Sequence, residues 1–292
     1  MNSFANELTM TTLLIDADML LFRTMAANEI EANLGDEVWV RWAELNTVRE
    51  EFWKTIDEWL ERWPMADYRL CWTGPSAFRK RIAPDYKANR AGILKPIGYK
   101  VMKRELLDEP TSFLHDEIEA DDWLGLLAGA LREAGEEPII VSGDKDLDQV
   151  PGRHWWPAGV KREEKPGLAV MEWADELLRD KAIEWVVDQD YCDKHFYSQV
   201  LIGDSTDNIP GCPGIGAVGA KKIIDNYNTD EPVECWQEIV GQFEKALKKK
   251  NDVREPEDVA LQQARLVRIL RHGEYNAETR TVDLWTPPTL KS

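Results

Sequence analysis

The chain has 292 residues, 43% of them apolar, which is enough for a large core in one domain or in a domain with an appendage, and its formal net charge is −18. No apolar run approaches the roughly 18 residues a membrane helix needs, and the start "MNSFANELTM" lacks the basic and then apolar pattern of a secretory signal. Cys71, Cys192, Cys212 and Cys235 are far apart and form no CxxC pair, which argues against a disulfide framework or a zinc site and fits a reducing, cytoplasmic setting.

In chain order, Leu13 to Asp18 ("LLIDAD") predicts a buried strand with carboxylates at its end. The apolar spacing from Trp39 to Trp63 predicts a helix that stops before Pro64. Tyr68 to Trp72 ("YRLCW") predicts a second strand. Between Arg79 and Arg104 stand nine basic residues against the single acid Asp85, a local charge of +8 that leaves −26 for the rest. The net charge argues against nucleic-acid binding, but binding depends on local fields, so this basic island outweighs the total. It reads as surface helices or a loop.

Glu119 to Ala134 ("EADDWLGLLAGALREA") predicts an amphipathic helix opening on three acids, which the helix dipole alone would favour. Pro138 to Ser142 ("PIIVS") predicts a third strand, followed by "GDKDLD". Short strands follow at His154 to Pro157 and Lys161 to Trp173, and Ile183 to Gly203 reads as helix. Then comes "IGDSTDNIPGCPGIGAVGAKKII", acids run into a glycine-rich loop and paired lysines. Two helices after Glu231 and an irregular tail from Thr286 complete the chain. Most of the thirteen tryptophans are expected in packing roles.

Strands alternating with helices predict an α/β fold with a mostly parallel central sheet, whose strand ends gather ligands at one edge. Asp16 and Asp18, then Glu119, Asp121 and Asp122, then Asp144, Asp146 and Asp148, then Asp204 and Asp207 all fall at strand ends, helix starts or helix ends. Gathered at one edge, these acids would repel unless divalent cations neutralised them, and oxygen ligands without His or Cys favour Mg²⁺ or Mn²⁺ over zinc. Two such ions can activate water and stabilise the leaving oxygen of a phosphodiester.

The ordered blocks "LLIDADMLLFR", "APDYKANR", "IEADDWLG", "VSGDKDLDQV" and "IGDSTDNIPGCPGIGAVGAKK" resemble the 5′-nuclease family of flap endonucleases, DNA polymerase I 5′-nuclease domains and phage 5′→3′ exonucleases. The resemblance covers roughly residues 13 to 225. It implies a PIN-like nuclease fold: a catalytic core over 1–180 with a helical arch at about 79–115, and a helical DNA-binding region over 181–292. It implies Asp16, Glu119, Asp121, Asp122, Asp144, Asp146, Asp204 and Asp207 as metal ligands. Lys87, Arg90 and Arg23 would act on the scissile phosphate. Tyr86, Arg79, Lys80 and Arg81 would contact DNA. Gly214, Gly216, Gly219, Lys221 and Lys222 would form a helix–hairpin–helix element at about 200–225 that grips backbone phosphates, with a K⁺ held by its carbonyls.

The implied protein is a metal-dependent hydrolase of 5′-ended DNA, or of RNA–DNA hybrid, acting as a monomer without a membrane, in the host cytoplasm if phage-encoded. One departure stands out: Thr73 and Gly74 occupy the place after the second strand where the family usually has an aspartate. Two other readings compete. One is a haloacid-dehalogenase-like phosphatase with Asp16 as nucleophile. The other is a catalytically silent DNA-binding protein.

Overall fold

The computed structural model describes residues 10–157, 166–173, 182–227 and 231–288. The expected structure at 161–165 and the last four residues of the tail lie outside these.

The chain starts at the centre of its sheet. Strand β1 (Thr11–Asp16) is buried from Thr12 onward and runs directly into α1 (Ala17–Asn28), capped by Asp16. A two-stranded hairpin follows, β2 (Glu29–Asn33) with β3 (Trp39–Ala43), and then α2 (Leu45–Arg62). The helix expected from Trp39 therefore begins six residues later. Its first residues pair with β2 instead, and Trp39 and Trp42 are left exposed.

Strand β4 (Asp67–Cys71) precedes the basic segment, which holds one turn of helix α3 (Arg79–Ile82), a 3-10 turn at Ala88–Arg90 and α4 (Tyr99–Leu106). The segment expected to form the arch thus holds three short helical pieces joined by irregular chain. After β5 (Ser112–Phe113) come α5 (Ala120–Glu133), β6 (Glu137–Val141), a 3-10 turn at Asp146–Gln149 and β7 (Gly152–Trp156). Then β8 (Leu168–Trp173) and β9 (Ala182–Val187) close the sheet. The helix expected from Ile183 starts only at α6 (Gln189–Ile202), so the sheet passes the division expected at residue 180. The helices α7 (Ala217–Ile224), α8 (Pro232–Lys249) and α9 (Pro256–Val267) follow, with a small ribbon of β10 (Tyr275–Asn276) and β11 (Thr281–Val282).

The seven-stranded sheet has the order β5-β4-β1-β6-β7-β9-β8. The pairs from β5 to β7 are parallel, and β9 is antiparallel to both of its neighbours. The chain lays β4 and β5 on one side of β1 and then crosses to place β6 on the other. That reversal opens a crevice at the carboxyl ends of β1 and β6, where open α/β sheets hold ligands. A core rich in tryptophan fills one side, with Trp59 and Trp155 edge to face at 5.3 Å. A second core around Phe196, Trp236, Ile239 and Phe243 joins α6 to α9.

Candidate active site

The topology delivers the first acids. Asp16 ends β1, and its Oδ1 accepts from the Met19 amide at 3.0 Å while Oδ2 accepts from Ser142 Oγ at 3.1 Å. Ser142 directly follows β6, so the two central strands are tied at the site floor. Asp144 lies two residues on, and its Oδ1 accepts from the Asp146 amide at 2.9 Å. Asp121 enters from the first turn of α5. These carboxylates repel one another inside the protein. Burial, reinforced by Asp18 and Asp144, pushes Asp16 up to about 7. Burial and then Asp144 and Asp16 raise Asp121 well above the ordinary range. Burial, then Asp144, Asp204 and Asp207, lift Asp146 to about 7.

Asp204 and Asp207 arrive from the loop after α6. That loop is closed by Asp204 N–H to Ile209 O at 2.9 Å and Ile209 N–H to Asp204 O at 2.7 Å. Gly203 (φ +74°) and Gly211 (φ +64°) make the closure possible. A Cβ on Gly203 would lie 2.3 Å from Ile209 O, and one on Gly211 would lie 2.4 Å from the Ile202 carbonyl carbon. No side chain fits where the two backbones cross. This crossing joins the acid loop to the glycine-rich turn that precedes α7.

The basic segment leans over these acids. Lys87 Nζ donates to Glu119 at 2.5 Å and lies 3.3 Å from Asp207, and Arg90 pairs with Asp207. Burial works to raise the Glu119 pKa, but Arg79 and Lys87 outweigh it and hold the carboxyl below its usual range. Lys87 takes a left-handed conformation (φ +57°), and its amide donates to Asp207 O at 2.9 Å. Backbone and side chain together therefore fix it beside the cluster. A cleft there is lined by Tyr86, Glu119, Asp121, Asp146, Asp204 and Asp207, among others.

Three expected assignments change. Asp122 is fully buried. It completes a capping box with Glu119, takes a fork of hydrogen bonds from Arg79 at 2.7 and 2.8 Å, and accepts from the Leu270 amide at 3.1 Å. Both of its oxygens are taken by protein donors. Arg79, only 4% exposed, also donates to the Leu266 and Arg268 carbonyls, so it faces the interior and not DNA. Tyr86, likewise 4% exposed, donates its hydroxyl toward Glu119 (2.9 Å) and Asp207 (3.1 Å), so no base can stack on it.

The other expected contacts are more open. Lys80 and Arg81 are exposed on α3, with Arg81 paired to Glu117. Arg23 is exposed on α1, its guanidinium 5.0 Å from the centre of the Trp156 ring. Gly214 (φ +84°) and Gly216 have open space around them at the start of α7, and a Cβ on Gly219 would make only ordinary contact with Ile215. Lys221 and Lys222 are exposed on α7, with Lys221 paired to Asp225 at 2.6 Å. Ser142 and Gln199, which donates to Asp146 at 2.6 Å, had no mark in the sequence. They are single polar residues in otherwise ordinary strand and helix segments.

The donor set of Asp16, Asp121, Asp144, Asp146, Asp204, Asp207 and Glu119 is all oxygen, and Asp16, Asp121 and Asp146 are raised by burial and then by neighbouring carboxylates, a cost that hard divalent cations would relieve. The chemistry fits such ions. Among the described residues, however, no three acidic, His or Cys side chains are gathered in the arrangement of an ion site. Glu119 and Asp207 turn their oxygens to Lys87, Arg90 and Tyr86 instead.

Comparison with known proteins agrees with this architecture. Residues 11–165 match the model of the 5′-3′ exonuclease, N-terminal resolvase-like domain. The chain is 27% identical to the exodeoxyribonuclease of Enterobacteria phage T3, over 94% of this chain and 92% of that protein. It is equally 27% identical to the exonuclease of Escherichia phage T7, over 94% and 93%. A solved structure of the T5 5′-exonuclease with bound zinc ions shares the fold, with a TM-score of 0.58 over 88% of this chain and 89% of that one at 17% identity. With its family model, its two full-length phage relatives and its crevice of carboxylates in agreement, the chain belongs to the 5′-3′ exonuclease family and is a 5′-nuclease.

Proposed function

We propose that the protein hydrolyses phosphodiester bonds at or near the 5′ ends of DNA, as a 5′→3′ exonuclease, a structure-specific 5′-flap endonuclease, or both. Its setting would be replication or repair, with removal of RNA primers from RNA–DNA hybrid as one use. The observation that carries this reading is the meeting of carboxylates from β1, α5, the β6 loop and the α6 loop with Lys87 and Arg90 at one sheet edge.

Asp16, Asp121, Asp144 and Asp146 on one side, and Glu119, Asp204 and Asp207 on the other, would hold two divalent ions, Mg²⁺ or Mn²⁺. When bound, such ions supply an activated water and charge stabilisation at the leaving oxygen. The chain's own residues do the rest. Lys87 and Arg90 exchange their carboxylate partners for the scissile phosphate and stabilise its developing charge. Tyr86 keeps Glu119 and Asp207 aimed into the cleft. Arg23, freed from Trp156, meets the 5′ phosphate region. The open turn at Gly214 and Gly216 with Lys221 and Lys222 grips the duplex backbone, and carbonyls of that turn can hold a K⁺. The crossing of Gly203 and Gly211 keeps this grip at a fixed distance from Asp204 and Asp207. The 5′ strand passes beneath the basic segment, and contacts go to phosphates without base readout. The enzyme acts as a monomer, in the host cytoplasm if phage-encoded.

The test is a product-length profile on 5′-labelled flap, nicked and blunt DNA with Mg²⁺, beside a small phosphate ester. Short 5′-phosphorylated products support the nuclease, and their length separates exonuclease from flap cleavage. Turnover of the ester alone would favour a phosphatase, and tight binding without cleavage a silent DNA-binding protein.

A further inference from the structure

We propose that Asp18 is a positioning residue which, with Lys103, Tyr99 and Thr73, anchors the second leg of the basic segment to the floor of the acid cluster. Asp18 lies two residues after Asp16, in the first turn of α1. Its Oδ1 accepts from Tyr99 Oη and from Lys103 Nζ, each at 2.6 Å, and both donors come from α4. Its Oδ2 accepts from the Thr73 amide at 2.6 Å. Lys103 Nζ also donates to Thr73 O at 2.8 Å and sits 5.3 Å from the centre of the Trp72 ring. Thr73 Oγ1 in turn accepts from the Ala120 amide at 3.1 Å, and Ala120 adjoins Asp121. A continuous set of short contacts thus runs from α4 through Asp18 and Thr73 to the first turn of α5.

The Thr73 end is rigid. A Cβ on Gly74 would lie 2.0 Å from His115 O, and the Gly74 amide donates to Ile118 O at 2.8 Å. Residues 73 and 74 are therefore wedged against the chain leading into α5, and only glycine fits at 74.

The two legs of the basic segment differ. On the first leg, Lys87 and Arg90 rest on Glu119 and Asp207, carboxylates of the cleft that ions or a phosphate can claim. On the second leg, Lys103 rests on Asp18, which also takes Tyr99 and the Thr73 amide and, unlike Glu119 and Asp207, does not line the cleft. The first leg is built to exchange partners and the second to stay fixed. Asp18 therefore sets where α4 stands relative to Asp121. Thr73, at the place of the usual aspartate, gives up a carboxylate but provides the N–H, C=O and hydroxyl that the anchor uses.

This inference rests on the nuclease reading, and cleavage by the unaltered enzyme on the same 5′-labelled nicked flap DNA tests that reading separately. The variants are Asp18→Asn, Lys103→Met, their double, Lys103→Arg and Tyr99→Phe. For each, kcat, KM and the Mg²⁺ half-saturation are measured, with DNA affinity by anisotropy in EDTA. A fixed anchor predicts that Asp18→Asn and Lys103→Met each lower kcat about tenfold, because slight misplacement of reacting groups is costly. DNA affinity and Mg²⁺ half-saturation should stay within about threefold, under the 1.4 kcal/mol that marks a factor of ten. The double should be no worse than the poorer single, since both break one coupled unit. Lys103→Arg should recover most of the loss, and Tyr99→Phe, which deletes one hydroxyl and keeps the packing, should show a milder fall in kcat. Tighter DNA binding by Asp18→Asn with weaker binding by Lys103→Met would make Lys103 a phosphate contact and overturn the proposal. So would a raised Mg²⁺ requirement confined to Asp18→Asn, which would make Asp18 a metal ligand. Additive losses in the double, or an unchanged kcat in both singles, would equally refute the anchor.

Discussion

Arg79 and Asp122 form a two-pronged ion pair, 2.7 and 2.8 Å long, sealed beneath the acid cluster. Arg79 also holds Glu119 at 2.9 Å and two carbonyls at the C-terminal end of α9, those of Leu266 and Arg268. The pair thus joins the basic segment, α5 and the C-terminal region behind the site. Asp122→Asn leaves a buried cation half paired. Unfolding in urea should show a loss of about 3–5 kcal/mol. The double variant Arg79→Met, Asp122→Leu should lose less than Asp122→Asn, because no lone charge remains.

Tyr86→Phe deletes two hydrogen bonds to carboxylates while keeping the ring in its core. Hydrogen bonds to charged groups are worth about 1.5–3 kcal/mol, so kcat/KM should drop by about tenfold or more. DNA affinity should be unchanged. A loss confined to affinity would return Tyr86 to the DNA surface.

The glycine crossing gives a graded pair of variants. At Gly203 a methyl meets Ile209 O at 2.3 Å with φ +74°, whereas at Gly214 the φ is +84° but the space is open. Gly214→Ala should cost only the left-handed strain of about 1–2 kcal/mol. Gly203→Ala must add displacement of the Asp204 loop. Thermal unfolding and cleavage together should rank Gly203→Ala well below Gly214→Ala in both stability and rate.

Without metal, stability should depend on pH with an unusual sign. Asp16 and Asp146 sit at about 7 in the folded protein, against an ordinary 3.8. A carboxyl raised on folding binds more protons folded than unfolded between those values. Stability therefore falls as pH rises from about 4 to about 7 and then levels off. Divalent ions that prefer the ionised folded cluster should offset this loss, so their stabilisation should be larger at pH 8 than at pH 5. Melting curves with EDTA or Mg²⁺ at these pH values read both effects.

Much of this was legible in the sequence, for identifiable reasons. β1 and β6 are short apolar runs ending in acids, and a parallel sheet forces such ends to one edge. The glycine-rich run ending in "GIGAVGAKK" marked a turn before a helix, whereas the crossing of Gly203 with Gly211 behind it emerged only in the structure. What stayed hidden depends on tertiary partners. Nothing in "EADD" says that Asp121 faces the cleft while Asp122 turns inward, because that is decided by Arg79 packing from 43 residues away. A basic residue inside a basic run looks solvated until its burial is known, which is why Arg79 read as a DNA contact. The helical spacing was carried by residues from Leu45 on, which do form α2, while the Trp- and Val-rich stretch from Trp39 to Ala43 suits a strand and pairs with β2.

The proposed contacts of Lys87, Arg90 and the hairpin are with phosphates, so affinity for 5′-flap DNA should fall steeply between about 50 and 200 mM salt. Lys222→Met should reduce the slope of log affinity against log salt by nearly one unit. A flat salt profile would remove the basic segment and hairpin from the DNA surface.

The account turns on the acids at the carboxyl edge of the sheet acting with divalent ions. The direct measurement is cleavage of 5′-labelled flap or nicked duplex by the unaltered protein with Mg²⁺, with EDTA, and by Asp146→Asn with Mg²⁺. Short 5′-phosphorylated products are expected with Mg²⁺ and none with EDTA, and Asp146→Asn should be slower by about 10²-fold or more, the scale of losing one electrostatic group at a reacting centre. Cleavage that continues undiminished in EDTA, or in Asp146→Asn, would contradict it.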